Sequence, residues 1–347
     1  MVDVTVSIVH ASRPELTLGC LESLEHGAAE RHAIEVVVLD NASGDDLSAN
    51  LRERFPRSNV RVIEQPFRAG FGANHNTVAR ATASRYILIL NPDTRVPPRA
   101  VDMLVDYLDD HPTAALAGPV IRGFDGAEQG SAWRPMTIAG YALWALTLGQ
   151  RGVAVRGRTA HPVHAVSACA MLVRREATEE VGLFDESFFM FSEEWDLAQR
   201  LHQLGLERHF VPEVEVRHYG QESTKHVPER QVNEIWRSLD LYLARYHSPL
   251  EARVLRSLWG LGYAFVLTAA AVGRALPSPL RPARASSWTP AVYKLHVRNA
   301  LTGTRAPGLK ELADDWNRAH GAGPAAEVRA IGEGEASTRR VPRNATA

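Results

Sequence analysis

Four groups of residues carry side chains that could do chemistry. Asp40 follows the apolar run Val36-Val37-Val38-Leu39, and Asn41-Ala42-Ser43 follow it. A carboxylate at a strand end can accept from a nucleobase imide or a ribose hydroxyl, but Asp-Asn also makes turns and caps helices, and position alone favours the turn. Asn91-Pro92-Asp93-Thr94 ends a second apolar run. Asp93 suits a divalent metal held against a diphosphate, since Mg²⁺ takes one or two protein carboxylates plus phosphate oxygens, and it suits a proline turn equally well. Glu193-Glu194-Trp195-Asp196 opens a helical pattern. Acids in a first turn favour the helix dipole, which by itself accounts for the cluster. Neighbouring carboxylates also raise each other's proton affinity, as a general base near neutral pH requires. His218 closes a strand-like run. A lone histidine is more often structural, although with Asp93 and a diphosphate it can complete a metal shell.

The elements that must position these residues are read from periodicity. Short apolar runs at 4–9, 34–39, 60–63 and 86–90 alternate with helical spacing at 14–24, 74–83 and 97–111. That alternation predicts a sheet with parallel strands covered on both faces, whose ligands bind beyond the strand C-terminal ends, where Asp40 and Asp93 lie. The middle, Gly123 to His164, reads as long loops around a helix at 138–148. A strand is expected at 166–174, an aromatic loop at 183–189, a helix at 192–204 stopped by Gly205, strands at 209–211 and 214–218, and an amphipathic helix at 229–246.

Composition bounds the class. The chain has 347 residues, 45% hydrophobic and 23% charged, with a net charge of -1. It is neither disordered throughout nor polytopic, and no chain-wide basic field points to nucleic acid. Two cysteines, Cys20 and Cys169, exclude a disulfide scaffold and fit a reducing compartment. The N-terminus lacks the basic start and apolar core of a signal peptide. There is no GxGxxG after the first strand, no Walker A sequence and no GxSxG elbow, so phosphate handling falls to a metal or to side chains.

In order, Val6-Ser7-Ile8-Val9, Cys20-Leu21-Glu22-Ser23-Leu24, Val37-Val38-Leu39-Asp40-Asn41-Ala42-Ser43, Gly70-Phe71-Gly72-Ala73-Asn74-His75-Asn76, Leu90-Asn91-Pro92-Asp93-Thr94, the stretch from Val166 to Arg175, Gly182 to Phe189, Glu193 to Leu197 and finally His218 resemble the family 2 glycosyltransferases. The likeness is to their rhamnosyltransferase or galactofuranosyltransferase branch. The resemblance covers residues 4 to about 225 and implies a GT-A fold, an α/β nucleotide-sugar-binding architecture with a Rossmann-like, mostly parallel sheet and helices on both faces. A C-terminal helical extension follows. It implies a catalytic domain at 1–225, a helical, basic, membrane-associated region at 226–320 and a disordered tail at 321–347.

The resemblance also implies roles. Asp40 and Asn41 read the donor nucleoside with the backbone of Val9, His10 and Ala11. Arg68, Gly70, Phe71 and Asn76 wrap the nucleotide, and Asn91 and Asp93 take the place of the family's acidic metal motif, its first acid being Asn91 here. Asp93 and His218 hold Mg²⁺ or Mn²⁺. Glu194, with Glu193 as the alternative one residue away, is the catalytic base. Ala168, Asp185 and Trp195 lie near the acceptor. The expected reaction is an inverting transfer from a nucleoside-diphosphate sugar to a hydroxyl of a glycan or lipid-linked acceptor, in cell-envelope polysaccharide synthesis. A nucleotide-sugar-binding relative without catalysis and a sugar-phosphate nucleotidyltransferase are the alternatives.

The C-terminal region bears on the acceptor. From Ala252 to Lys310 there are nine basic residues and no acidic one, and Ser257 to Gly273 is a 17-residue uncharged run. As a helix the run reaches only about 26 Å, short of a hydrocarbon core of about 30 Å, and Gly260 and Gly262 weaken it further. The expectation is a helix lying in a cytoplasmic membrane interface, with a helix packed on the catalytic domain as the alternative. The donor sugar, the linkage and the oligomeric state are not encoded in any motif.

Overall fold

The computed structural model describes residues 2–55, 60–147, 152–220, 224–275, 289–323 and 329–331. The chain begins with β1 (Val4–His10), α1 (Pro14–Glu25), β2 (Ile34–Asn41), α2 (Leu47–Arg54), β3 (Val60–Gln65), α3 (Phe71–Arg80) and β4 (Tyr86–Leu90). β1 is sandwiched between β2 and β4, all parallel, with β3 outside β2. The chain thus steps outward from β1 to β2 and β3, then crosses back to β4 on the other side of β1. A crevice opens at such a reversal, beyond the strand C-termini.

After β5 (Thr94–Arg95) and α4 (Ala100–Asp110) come β6 (Ala114–Arg122), β7 (Ala132–Trp133), α5 (Ile138–Leu146), β8 (His161–Val163), β9 (Ala165–Val166) and β10 (Ala170–Arg174). α6 (Arg175–Glu179), α7 (Glu193–Gln203) and β11 (Glu207–His218) complete this part. β10 is antiparallel to both β4 and β6, while β6 and β11 run parallel. The sheet is therefore mixed on this side. β6 has no counterpart in the sequence reading, and it is fully buried up to Ile121. The two strands expected at 209–211 and 214–218 are one strand, irregular in register between Val211 and Glu215.

Both sheet faces are buried. Val4, Val6 and Ile8 point into a core with α1 and α4 (Leu21, Leu104, Val105), while Ile87, Ile89, Met171 and Val173 pack with Leu197 and Leu201 of α7. Alternation along β1 sends Thr5 and Ser7 the opposite way, which brings the Ser7 hydroxyl within 2.7 Å of His75 Nδ1 on α3.

The remaining helices, α8 (Pro228–Tyr246), α9 (Pro249–Ala275), α10 (Pro290–Thr302) and α11 (Leu309–Ala319), pack on this frame. Trp236, Leu239 and Tyr242 of α8 share a buried cluster with Phe188, Trp195 and Tyr141. Arg256, counted on sequence among the membrane-facing bases, turns inward instead. It pairs with Asp240, donates to the Asn299 and Ala300 carbonyls, and lies over the Trp236 ring at 4.9 Å. Gly260 and Gly262 are sites of close approach: a Cβ at Gly262 would lie 2.3 Å from the Trp144 ring. Among the described residues no helix is long and apolar enough to cross a membrane. Within the tail expected to be disordered, β12 (Arg329–Ile331) pairs with β3. Arg281, Arg284 and residues 324–328 and 332–347 lie outside the described residues.

Candidate active site

A cavity of about 590 Å³ opens where the β1, β2 and β4 ends meet α7. Of the residues singled out on sequence, it brings together Val9, Ala11, Asn41, Phe71, Asn91, Asp93, Ala168, Glu193, Glu194, Trp195 and His218. His10, Asp40, Arg68, Gly70, Asn76 and Asp185 are not on its lining.

Each of those six has a visible reason. His10 is fully buried, and its ring nitrogens are taken by Thr17 (2.8 Å) and Asp45 (3.1 Å), so its side chain is turned into the core beside Val9 and Ala11. Asp40 accepts from the Ser43 N–H (2.9 Å) and hydroxyl (3.1 Å). It forms a turn without capping α2, whose cap is Asp46. A carboxylate has further lone pairs, so Asp40 keeps accepting capacity beside the crevice. Arg68 lies over the Trp316 ring of α11 at 4.5 Å, while Asn317 bonds both its backbone N–H and C=O. Gly70 is needed for packing: a Cβ there would sit 2.4 Å from the Phe189 carbonyl oxygen. Asn76 faces away, bonding the Phe184 backbone in both directions (2.8 and 3.0 Å), and so anchors the aromatic loop. Asp185 accepts from Arg245 (2.7 Å); burial would raise its carboxyl, but bonds from Ser187 and Arg245 bring it down to about 2.

The α3 lining is Phe71, Asn74 and His75, which share one helix face at i, i+3 and i+4. Sequence reasoning missed His75. Burial pushes its pKa down to about 3, and its Nε2 has no hydrogen-bond partner. The motif itself held the signal, had the helix been started at Phe71.

At the other wall, Phe191 and Ser192 both have positive φ (71° and 65°) and line the cavity. Two consecutive left-handed residues without glycine are costly, and such strain concentrates at functional sites. They direct the α7 N-terminus into the cavity. Of its three acids, Asp196 is consumed structurally by Arg200 (2.7 Å), Arg245 (3.0 Å) and the Tyr246 hydroxyl (2.7 Å). Glu193 is buried, with Oε2 unpartnered; burial and then the charge of Glu194 push its carboxyl well above the usual range. Burial also raises Glu194, to about 7. Of the pair, Glu193 is held further above the usual carboxylate range, so Glu194 ionises first.

Across the cavity, His218 Nε2 lies 3.2 Å from Asp93 Oδ1 and 3.5 Å from the Asn91 amide. Its Nδ1 meets Gln129 Oε1 at 2.7 Å, while Gln129 Nε2 donates to the His218 carbonyl at 3.0 Å. The second bond fixes the amide orientation, so Oε1 accepts an Nδ1–H, and Nε2 is the ring nitrogen that faces Asp93. Gln129 was not foreseen, since a lone glutamine in a loop carries no spacing signal. One carboxylate, one imidazole and an amide make a donor set for a hard divalent ion that keeps water and phosphate ligands. No group of three or more His, Cys, Asp or Glu that could hold a metal occurs among the described residues. Among the described residues the lining contains no Lys or Arg.

A family model described as glycosyl transferase family 2 matches residues 5–182. The chain belongs to that family. It is 30% identical over 243 residues to N-acetylglucosaminyl-diphospho-decaprenol L-rhamnosyltransferase of Mycobacterium tuberculosis, covering 63% of this chain and 78% of that protein. It is 25% identical over 186 residues to rhamnosyltransferase WbbL of Escherichia coli K12, covering 51% and 70%. Among solved structures, mannosyltransferase PcManGT of Pyrobaculum calidifontis with GDP-Man and Mn²⁺ superposes with a TM-score of 0.56 at 18% identity, over 86% of this chain and 87% of that one. Residues 1–349 of S. aureus TarS, with UDP-GlcNAc, give 0.54 at 13% identity over 92% and 88%. These last two show a shared GT-A fold. The chain is a glycosyltransferase, and neither alternative class drawn from its sequence is favoured.

Proposed function

We propose that this glycosyltransferase moves a rhamnose-like sugar, with inversion, from a nucleoside-diphosphate donor to a hydroxyl of a lipid-diphosphate-linked glycan in envelope polysaccharide synthesis. The observation that carries this reading is the cavity itself, whose lining holds Glu194 together with Asp93 and His218. The donor lies across the β-strand ends with its diphosphate toward Asp93. The acceptor oxygen attacks the anomeric carbon as the bond to the diphosphate oxygen breaks, and that electron pair leaves with the diphosphate. Glu194 takes the hydroxyl proton, a contribution of about 10²–10⁴-fold for a positioned base. Protonated Glu193 adds no competing charge. Asp93 and His218 would hold Mg²⁺ or Mn²⁺, which as a Lewis acid would offset charge on the departing diphosphate.

The acceptor class comes from the substrate in the mycobacterial relative's name, and a membrane surface is where such an acceptor resides. α5 has no charged or hydroxyl-bearing residue except Tyr141, and its Leu146 is 72% exposed. Phe265 and Val272 of α9 are exposed as well. We place the enzyme peripherally on the inner membrane face through these helices, with Arg253, Lys294 and Arg298 near anionic headgroups.

The test is transfer by the purified chain from dTDP-rhamnose to N-acetylglucosaminyl-diphospho-polyprenol, with the product's anomeric configuration read by NMR. Inversion that stops in EDTA supports the reading. Retention of configuration, or full activity in EDTA, overturns it.

A further inference from the structure

Six aromatic rings share the cavity lining with Glu194. Trp195, next to Glu194, pairs with Trp133 at 5.6 Å. Tyr141 and Trp144 of α5 meet Trp259 and Tyr263 of α9, with ring centroids 5.6 to 6.3 Å apart. All six rings line the one cavity that holds Glu194, Asp93 and His218. The compartment is built into the packing, since Gly262 lies where any side chain would strike the Trp144 ring.

Polar edges decide what the compartment takes. Among the described residues, no protein acceptor receives the indole N–H of Trp133, Trp144, Trp195 or Trp259, whereas Trp236 Nε1, outside the cavity, donates to His296. Among the described residues the Tyr141 hydroxyl has no protein partner either. A hydrocarbon filling the compartment would leave these five donors without an acceptor. A phosphate would meet no Lys or Arg among the described lining residues. A pyranose ring matches both features: its C–H faces lie on aromatic rings and its hydroxyls accept from the ring edges.

Resting on the transferase reading, we propose that this aromatic compartment is the acceptor subsite and that its occupant is the uncharged pyranose whose hydroxyl Glu194 deprotonates. The lipid of the acceptor stays outside it. Trp133, Tyr141, Trp144, Trp259 and Tyr263 then join Trp195 as acceptor-binding residues, and the C-terminal helix α9 is part of the active site.

Two probes separate the classes of ligand. Methyl N-acetylglucosaminide carries the sugar without a lipid, and farnesyl phosphate carries the isoprenoid without a sugar. Each is titrated into the full chain with dTDP and Mn²⁺ present, followed by tryptophan fluorescence. The glycoside should bind saturably and farnesyl phosphate should not. Trp144→Phe and Tyr141→Phe should weaken the glycoside about tenfold, the size of one lost stack or hydrogen bond. The dTDP affinity should change less than about twofold in those variants. Saturation-transfer NMR from the aromatic protons of the unsubstituted chain reads the same contact without any mutation.

Farnesyl phosphate binding in place of the glycoside would overturn the assignment. So would absence of glycoside binding while dTDP still binds, or equal loss of both ligands in the variants. Glycoside binding that depends on Trp144 in a chain with no affinity for dTDP would leave the compartment standing and remove the transferase reading instead.

Discussion

Substituting the two adjacent glutamates one at a time separates base from bystander. Burial sets Glu194 at about 7. Its ionised fraction is then about a tenth at pH 6, half at pH 7 and nine-tenths at pH 8. With chemistry rate-limiting, kcat/KM should rise about fivefold from pH 6 to 7 and less than about twofold from pH 7 to 8. Glu193 lies higher still, raised by burial and by the charge of Glu194. A glutamine there copies the shape and charge of its protonated form. Glu193→Gln should leave the midpoint within about half a unit of that of the unsubstituted enzyme. Glu194→Gln should lower kcat by about 10²-fold or more and abolish the rising limb, with donor affinity little changed. The assay is initial-rate release of nucleoside diphosphate from pH 5.5 to 8.5 at saturating metal. A limb that survives in Glu194→Gln and vanishes in Glu193→Gln would reverse the roles. A profile already flat from pH 5.5 upward, as for an ordinary carboxylate titrating at about 4.3, would show that burial does not govern this site.

Other substitutions test the supporting structure. Gln129→Ala frees the His218 tautomer and should weaken Mn²⁺ binding, measured by calorimetry with dTDP present, by about tenfold or more; unchanged affinity would remove Gln129 from the site. Asn76→Ala unpairs the Phe184 backbone and should cost about 1–3 kcal/mol of stability by denaturant melting, and a selective loss of donor affinity instead would restore it to the nucleotide site. Raised carboxyls stabilise the fold at acid pH and lose that contribution as pH rises, from the ordinary 4.5 through about 7 for Glu194 and beyond for Glu193. Glu193→Gln should therefore raise Tm more at pH 8 than at pH 5, and an equal shift at both would contradict its raised pKa. Flotation with anionic liposomes should fail for Leu146→Glu and for Phe265→Glu, and retention of both variants would show that α5 and α9 do not face the membrane.

Much of this arrangement was legible because single strands and helices announce themselves locally. Tyr86–Leu90 is an uninterrupted apolar run and is β4, and the spacing from Glu193 onward is α7. What escaped depended on neighbours. β6 reads Ala-Ala-Leu-Ala-Gly-Pro-Val-Ile-Arg, and its Gly118 and Pro119 break the pattern that burial between β10 and β11 overrides. Beginning the third helix at Asn74 instead of Phe71 hid the shared face of Phe71, Asn74 and His75 and gave the nucleotide role to Asn76. The pairing of Asp93 with His218 came from family resemblance, whereas the Gln129 amide that fixes the imidazole shows only in geometry. The run from Ser257 to Gly273 reads in the sequence as an interfacial helix weakened by glycines, with packing on the catalytic domain as the alternative. Its Trp259 and Tyr263 face the cavity, and Gly262 is the gap that admits Trp144. Rings brought together from α5 and α9 leave no spacing in the sequence to find.

The central claim is that one cavity transfers a sugar from a nucleotide to an acceptor hydroxyl. The measurement that bears on it most directly is a donor panel. Purified chain, Mn²⁺ and N-acetylglucosaminyl-diphospho-polyprenol are incubated with each of dTDP-rhamnose, UDP-galactofuranose, UDP-N-acetylglucosamine and GDP-mannose, and mass spectrometry follows acceptor and nucleoside diphosphate together. The account predicts one dominant donor, dTDP-rhamnose, one sugar added per nucleoside diphosphate released, and loss of both in Asp93→Ala and Glu194→Gln. Acceptor left unmodified by every donor, or sugar transfer that persists in both variants, would contradict it.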